Sequence, residues 1–374
     1  MKILHIISSG GMYGAEAVIL NMSRVLNEGA HHSTLGVFAN TSNSNLQLHE
    51  NAAKEGIESS LISCKGQIDW NVVANIRALS ARTGADVVHA HGYKADIYVY
   101  FALRRLGIPL VSTCHTWYDN DLMVSLYGTA DRFVLRKYAR IVAVSSEVKE
   151  RLLKAGVRDA KIRLVQNGID LRPFDAASPS LRGDARSERM LIVGLVGRLS
   201  KEKGIDIFLR AAARVLANFP NTRFVVVGDG PDKDALQALS DELNIRDSVS
   251  LLGRRDDMPS VYASLDVMVS SSRQEGLPIA VLEGMASGLP LVATAVGEVP
   301  SVVLDGRTGV LLPAEDVGLL ARGIESLLGD ASKRNRFGAA GRKLIEEQFS
   351  AERMTADYLR VYEEAIDAEK VSSR

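Results

Sequence analysis

Two carboxylates stand eight positions apart in the segment Ser270-Ser271-Ser272-Arg273-Gln274-Glu275-Gly276-Leu277-Pro278-Ile279-Ala280-Val281-Leu282-Glu283-Gly284-Met285, and they bracket the predicted start of a helix. Proline has no N–H to lose and a φ already fixed near the helical value, so Pro278 is best placed at the first helical position, with Leu277 as the cap. Leucine offers no side-chain acceptor, and the first N–H groups of such a helix are left for something else. A phosphate or a sugar oxygen would satisfy them, and the helix dipole favours an anion there. Two carboxylates would repel a bare anion, but carboxylates accept hydrogen bonds from hydroxyls. A ligand with both a phosphate and a polyhydroxyl part accounts for Glu275, Glu283 and the open N–H groups of the helix start as one neighbourhood. Either glutamate taken singly is as well explained as an acid serving its own helix.

A second constellation is Val196-Gly197-Arg198-Leu199-Ser200-Lys201-Glu202-Lys203-Gly204, where Arg198 and Lys203 bracket a turn and offer donors to a diphosphate. Gly228-Asp229-Gly230-Pro231 and Gly253-Arg254 each end a predicted strand, and would line a pocket for a flat base or simply turn the chain. Near the start, Ser8-Ser9-Gly10-Gly11-Met12-Tyr13-Gly14-Ala15-Glu16 joins a strand to a helix and lets backbone approach a ligand closely. Its spacing is not that of a dinucleotide fingerprint, and no Walker sequence occurs. Cys64 and Cys114 are far apart, and no Cys/His cluster has metal-ligand spacing, so no metal ligand is assigned.

These residues need strand ends to hold them, and the chain supplies many. Short Val- and Ile-rich runs alternate with segments of helical period, the pattern of parallel sheets covered by helices. The runs are 2–8, 34–39, 57–62, 86–90, 110–113, 141–144 and 162–165, and then, after a restart, 191–196, 223–227, 249–251, 266–270, 291–294 and 310–312. Helical period falls on 15–29, 70–83, 97–106 and 147–155. The expected fold is α/β, with two Rossmann-like, doubly wound domains in series, residues 1–173 and 174–350. Residues 171–189 have no sustained period and read as an exposed connection. Near the end, Met354, Tyr358, Val361, Tyr362 and Ile366 recur at helical spacing. No strand follows, so the helix of about 351–374 must cover apolar surface, and the first domain is one place for it.

The 374 residues are 46% hydrophobic and 24% charged, enough for a sizeable core. Lys plus Arg equals Asp plus Glu at 45 each, so nothing argues for nucleic acid as a partner. The first 170 residues carry 19 basic against 15 acidic side chains, the more cationic half. No apolar stretch reaches membrane-spanning length and the first one is broken by Ser8, Ser9 and Gly10, so the expectation is a cytoplasmic protein with reduced cysteines.

The segment Glu275 to Glu283 resembles the E-x7-E element of retaining glycosyltransferases with the GT-B architecture, and the ordered set around it is similar to glycosyltransferase family 4. The set comprises Gly10-Gly11, Asn167-Gly168-Ile169-Asp170, Gly197-Arg198 with Lys203-Gly204, Gly228-Asp229-Gly230, Gly253, and Gly297-Glu298-Val299-Pro300. It spans nearly the whole chain. The resemblance implies two lobes facing a central cleft, with a nucleoside diphosphate sugar as donor substrate and no bound cofactor or metal. It implies that Arg198 and Lys203 hold the diphosphate, that Gly11 approaches it, and that Glu275 meets the transferred sugar. Glu283 would then hold the ribose, Gly253 and its neighbours would meet the base through backbone groups, and the backbone of Gly276, Leu277, Pro278 and Ile279 would surround Glu275; Gly228 is a further donor-side candidate. His115, in Ser112-Thr113-Cys114-His115-Thr116-Trp117, resembles the family's histidine near the reacting sugar, with His89 and His91 as competitors.

The implied activity is transfer of a hexose or N-acetylhexosamine, from UDP before GDP, to a saccharide or lipid-linked acceptor in cell-surface polysaccharide or glycoconjugate synthesis. Tyr13, Tyr93, Lys94, Trp117, Tyr118 and Asp119 are candidate acceptor-lining residues. Arg104, Arg105, Arg132, Arg136, Lys137 and Arg140 form a basic group that could rest peripherally on anionic lipid, or merely be solvated. Two other readings compete: a nucleotide-sugar epimerase of the same architecture, and a noncatalytic binding partner. The ordered motif set speaks against the first, and the presence of all five polar site residues against the second.

Overall fold

The computed structural model describes residues 1–9, 11–12, 14–40, 45–66, 68–114, 133–182 and 190–372. The chain forms two compact units, Met1–Gly168 together with Ala351–Arg374, and Ile169–Ser350. The division falls at Ile169, whose N–H donates to the Phe349 carbonyl at 2.9 Å, while Pro173, where the sequence suggests it, lies in the short helix Arg172–Asp175 of the second unit.

The first unit holds a parallel sheet of β1 (Lys2–Ile7), β2 (His32–Asn40), β3 (Glu58–Cys64), β4 (Val87–His91), β5 (Leu110–Cys114), β6 (Arg140–Ala143) and β7 (Ile162–Leu164), in the order β3-β2-β1-β4-β5-β6-β7. In the second, β8 (Leu191–Val196), β9 (Thr222–Val227), β10 (Val249–Leu251), β11 (Val267–Ser270), β12 (Leu291–Thr294) and β13 (Gly309–Leu312) lie in the order β10-β9-β8-β11-β12-β13. Every predicted run becomes a strand, with ends shifted by no more than two residues. The runs are continuous rather than alternating because helices cover both faces of each sheet. In the second unit Val193, Val226 and Val269 enter one core, while Ile192, Val225 and Met268 enter the core on the opposite face.

Each order reverses once, between β1 and β4 and between β8 and β11. The helices leaving the two strands at such a reversal diverge to opposite faces, and the gap beyond the carboxyl ends is where ligands bind in sheets of this kind. In the second unit the loops flanking that gap are 197–204 and 271–278, the two segments that the sequence marks as chemical.

The terminal helix Ala351–Ser372 packs within the first unit and buries Met354, Tyr358, Val361, Tyr362 and Ala365. Its Glu364 takes Arg140 at 2.9 Å and Arg163 at 2.7 Å. The helix predicted at 97–106 is Tyr93–Leu103, starting earlier because Gly92, at φ +85°, turns the chain directly out of β4. The stretch 171–182 is no free connection. The N–H groups of Ser180 and Leu181 donate to Ser264 Oγ, and Arg182 meets Asp266 at 2.5 Å. Single polar anchors of this kind leave no periodic mark in a sequence.

Candidate functional site

The loop after β8 and the loop after β11 are stitched together. Ser271 Oγ donates to the Gly204 carbonyl at 2.8 Å, and the Arg273 N–H donates to the Glu202 carbonyl at 2.7 Å. The Arg273 guanidinium spans Asp206 at 2.7 Å, Glu315 at 2.6 Å and the Lys201 carbonyl at 2.7 Å. That bond to Arg273 holds the Asp206 carboxyl below the usual carboxylate range, so the pair stays charged and the turn Lys201–Lys203 is pinned to the start of the helix Ile205–Asn218.

From this frame the Lys203 ammonium reaches Glu275, Nζ to Oε1 at 2.5 Å, and Ser272 Oγ donates to the same oxygen at 2.7 Å. The Glu275 side chain is 9% exposed and that of Lys203 24%, so the pair is shielded yet open on one side. A third loop closes on the backbone. Gly297, at φ +53°, lies so near that a Cβ there would stand 1.8 Å from the Glu275 carbonyl oxygen, and the Glu298 N–H donates to the Gly276 carbonyl at 3.1 Å. Only glycine permits both the left-handed φ and the approach.

The helix that follows is Ile279–Ala286, with Pro278 as its cap at φ −72° and ψ 125° and no side-chain cap bond. This corrects the expected register by one residue: Pro278 precedes the helix and Leu277 is buried behind it. Proline at the cap still leaves the first helical N–H groups without a side-chain acceptor. Glu283 sits in the same helix among buried Val281, Leu282, Gly284, Met285 and Ala286, and is itself partly buried. Burial pushes its carboxyl up to about 7, and the Tyr262 hydroxyl, donating to Oε2 at 2.8 Å, pulls the other way.

The predicted residues do not all come together. Lys203 with Glu275, and Gly228 with Gly253, are brought into contact, the Gly228 N–H donating to the Gly253 carbonyl at 2.9 Å. Gly228, at φ +140°, also lies against the Gly197 carbonyl, where a Cβ would come within 1.9 Å. The Arg198 side chain is exposed and makes no hydrogen bond or ion pair among the described residues. Gly276 is exposed, and Ile279 opens the helix. Gly11 belongs to the other unit, where its carbonyl accepts from Ser9 Oγ at 2.9 Å and Ser9 also donates to Glu16. His115, Tyr13, Trp117, Tyr118, Asp119 and Arg132 lie outside the described residues. Sequence reasoning missed Ser272, Arg273 and Tyr262. The first two sat inside the quoted segment; Tyr262 carried no signal.

Among the described residues one group could share a metal ion, the buried His5, His89 and His91, whose ligand atoms lie within 4.8 Å of one another. They are already bonded in other ways. His5 Nδ1 meets His91 Nε2 at 3.1 Å, and His89 bonds the Tyr362 hydroxyl at 2.8 Å and Thr113 Oγ1 at 2.7 Å. Both nitrogens of His89 are therefore occupied, and the cluster ties β4 to β5 and to the terminal helix.

A family model described as Glycosyltransferase Family 4 matches residues 12–172, and one described as Glycosyl transferases group 1 matches residues 181–344. An alpha-D-kanosaminyltransferase of Streptomyces kanamyceticus is 30% identical over 305 residues, 76% of this chain and 78% of that protein. A D-inositol 3-phosphate glycosyltransferase of Mycobacterium sp. (strain KMS) is 34% identical over 274 residues, 67% of this chain, and the match spans only 61% of that relative's length. Of solved structures, Anabaena Alr3699/HepE in complex with UDP superposes with a TM-score of 0.83 at 22% identity, covering 96% of this chain and 99% of that one. Sucrose-phosphate synthase from Thermosynechococcus elongatus gives 0.77 at 20% identity over 98% and 100%. At such identities the structural likeness shows the fold alone. With two parallel-sheet units and family models matching across both, the chain has the GT-B fold and belongs to glycosyltransferase family 4.

Proposed function

We propose that the chain is a retaining glycosyltransferase that moves a hexose or N-acetylhexosamine from a nucleoside diphosphate sugar, UDP before GDP, to a saccharide or lipid-linked acceptor in cell-surface polysaccharide or glycoconjugate synthesis. The observation that carries this reading is the Lys203–Glu275 pair, set at the reversal of the second sheet beside a helix start with no side-chain cap. The relatives named above are an alpha-D-kanosaminyltransferase and a D-inositol 3-phosphate glycosyltransferase, and the Anabaena neighbour was solved in complex with UDP. No epimerase is among them.

Breaking the bond to the diphosphate builds positive charge on the anomeric carbon and negative charge on the leaving oxygen. Arg198, Lys203 and the N–H groups at the start of Ile279–Ala286 meet the leaving charge, a preorganised arrangement that typically lowers such barriers by several kcal/mol. These cations supply the charge that a metal would otherwise bring. When the donor binds, Lys203 turns from Glu275 to phosphate, and Glu275 accepts from sugar hydroxyls in its place. The departing phosphate takes the acceptor proton on the face it leaves, which retains configuration. Gly11 and His115 stay in this reading as candidates for the diphosphate and the reacting sugar, and Tyr93 and Lys94 as candidates for the acceptor.

Contact with anionic lipid belongs to this reading through exposed Arg104, Arg105 and Lys137; Arg140 drops out because Glu364 takes its guanidinium. Loss of co-sedimentation with anionic vesicles at low salt would remove that part. The central test is a thermal-shift panel of UDP, GDP, ADP and their sugars. A ligand that binds only the native state raises the melting point. A single winning nucleotide is expected, and a panel without any shift would sink the reading. An inverted product anomer by NMR would remove retention alone.

A further inference from the structure

The helix Ile279–Ala286 has the sequence IAVLEGMA, in which Glu283 is the one residue able to carry charge. Its neighbours on either side are buried, and a carboxylate in such a place loses the water that would hold it ionised. The compensation comes from Tyr262. That ring is fully buried on the helix Met258–Ala263, packed 6.1 Å from the Phe174 ring in an otherwise apolar cluster with Ile192, Val225, Leu265 and Met268. Phenylalanine would fill such a position equally well by volume. A tyrosine hydroxyl buried there needs a partner, and the one it has is Glu283 Oε2 at 2.8 Å. No other group among the described residues bonds the Glu283 side chain, so Oε1 keeps its acceptor sites.

We propose that Tyr262 is a positioning residue for nucleotide binding, holding one oxygen of Glu283 so that the carboxylate stays ionised and its other oxygen faces the vicinal hydroxyls of a ribose. This rests on the assignment of Glu283 to the ribose made above. A bidentate diol needs an acceptor whose plane is fixed, and one charge-assisted bond from a rigid ring fixes it.

Among the described residues no other charged side chain bonds the Glu283 carboxylate. The helix Ala331–Gln348 brings Arg342, whose guanidinium is taken by Asp175, Glu346 and the Ala286 carbonyl. The helix Arg172–Asp175 adds Arg172, paired with Asp170, and that same Asp175. Tyr262 is the only ionisable residue of its own helix, and Asp257 before it is held by Arg255 at 2.7 Å. What acts on the Glu283 carboxyl is burial, raising it to about 7, and the Tyr262 hydroxyl, lowering it.

The test compares UDP with 2′,3′-dideoxy-UDP by calorimetry from pH 6 to 9, on the full chain and on the variants Tyr262→Phe and Glu283→Gln. The unmodified chain is expected to prefer UDP at least tenfold at pH 8 and to lose that preference as pH falls below about 7. Tyr262→Phe is expected to weaken UDP about tenfold while leaving dideoxy-UDP within twofold, and to move the pH midpoint upward. Equal losses for both nucleotides with an unmoved midpoint would reduce Tyr262 to packing and overturn the proposal. If Glu283→Gln leaves the preference for UDP untouched, the ribose assignment itself falls; if that variant loses the preference and Tyr262→Phe keeps it, only the role of Tyr262 falls. Should Tyr262→Phe not fold, replacing the tyrosines with 3-fluorotyrosine, a stronger donor, is expected to lower the midpoint, and an unmoved midpoint overturns the proposal equally.

Discussion

Lys203 Nζ lies 2.5 Å from Glu275 Oε1, so the cation proposed for the diphosphate and the carboxylate proposed for the sugar face each other as an ion pair. Each keeps the other in place, and each is released by the part of the ligand that suits it. Glu275→Ala is expected to lower turnover by roughly 10²–10³, the loss typical of one preorganised polar contact, while UDP affinity stays within a few fold. Lys203→Ala is expected to weaken UDP and leave uridine unchanged. Calorimetry beside steady-state kinetics separates the two, and equal effects on affinity from both variants would contradict the division of roles.

Glu283 should cost the protein stability. Its folded-state carboxyl titrates near 7, above the ordinary value of 4.5, so the folded chain holds the proton more tightly than the unfolded chain. Its contribution is therefore favourable below pH 4.5 relative to pH 8, and is lost as pH rises through 7. Glu283→Gln is expected to raise unfolding free energy by up to roughly 3 kcal/mol at pH 8 and to change nothing near pH 4. Urea unfolding at the two pH values reads this directly, and a variant less stable at pH 8 would contradict it.

Gly297→Ala would place a Cβ 1.8 Å from the Glu275 carbonyl at a φ of +53°. Neither backbone can yield without moving Glu275. A loss of about 1–3 kcal/mol is expected, with turnover falling at least tenfold and more than stability alone explains. Turnover at saturating donor below the melting transition distinguishes the two effects.

Tyr362→Phe removes the hydroxyl bonded to His89 Nδ1 at 2.8 Å in a fully buried place. The expected cost is about 1–3 kcal/mol, from the loss of one buried hydrogen bond. It should fall on the first unit, so hydrogen exchange in β4 and β5 is expected to quicken while β8 and β11 are unchanged.

The strands were legible because helices on both faces of a parallel sheet demand unbroken apolar runs, and stretches such as Leu191–Val196 or Leu291–Thr294 announce themselves without reference to their neighbours. The site loops were legible in outline because glycines such as Gly297 and Gly228 mark close approaches that no other residue permits. What the sequence hid was pairing at a distance. Nothing about Tyr262 points to a glutamate 21 positions on, and nothing in Arg273 names Asp206 and Glu315 as its partners. The cap at Pro278 was misplaced by one residue because proline suits both the cap, extended, and the first turn, and only the observed ψ decides.

The first unit is discontinuous in the chain, and this has a consequence for birth on the ribosome. The second unit, Ile169–Ser350, leaves the exit tunnel whole, whereas the earlier-made sheet must wait for Tyr358 and Tyr362 before its flank is sealed. A nascent chain released or cut short of the last two dozen residues would thus carry a finished later half and an earlier half with a greasy, unclosed side, a ready substrate for chaperones and proteases.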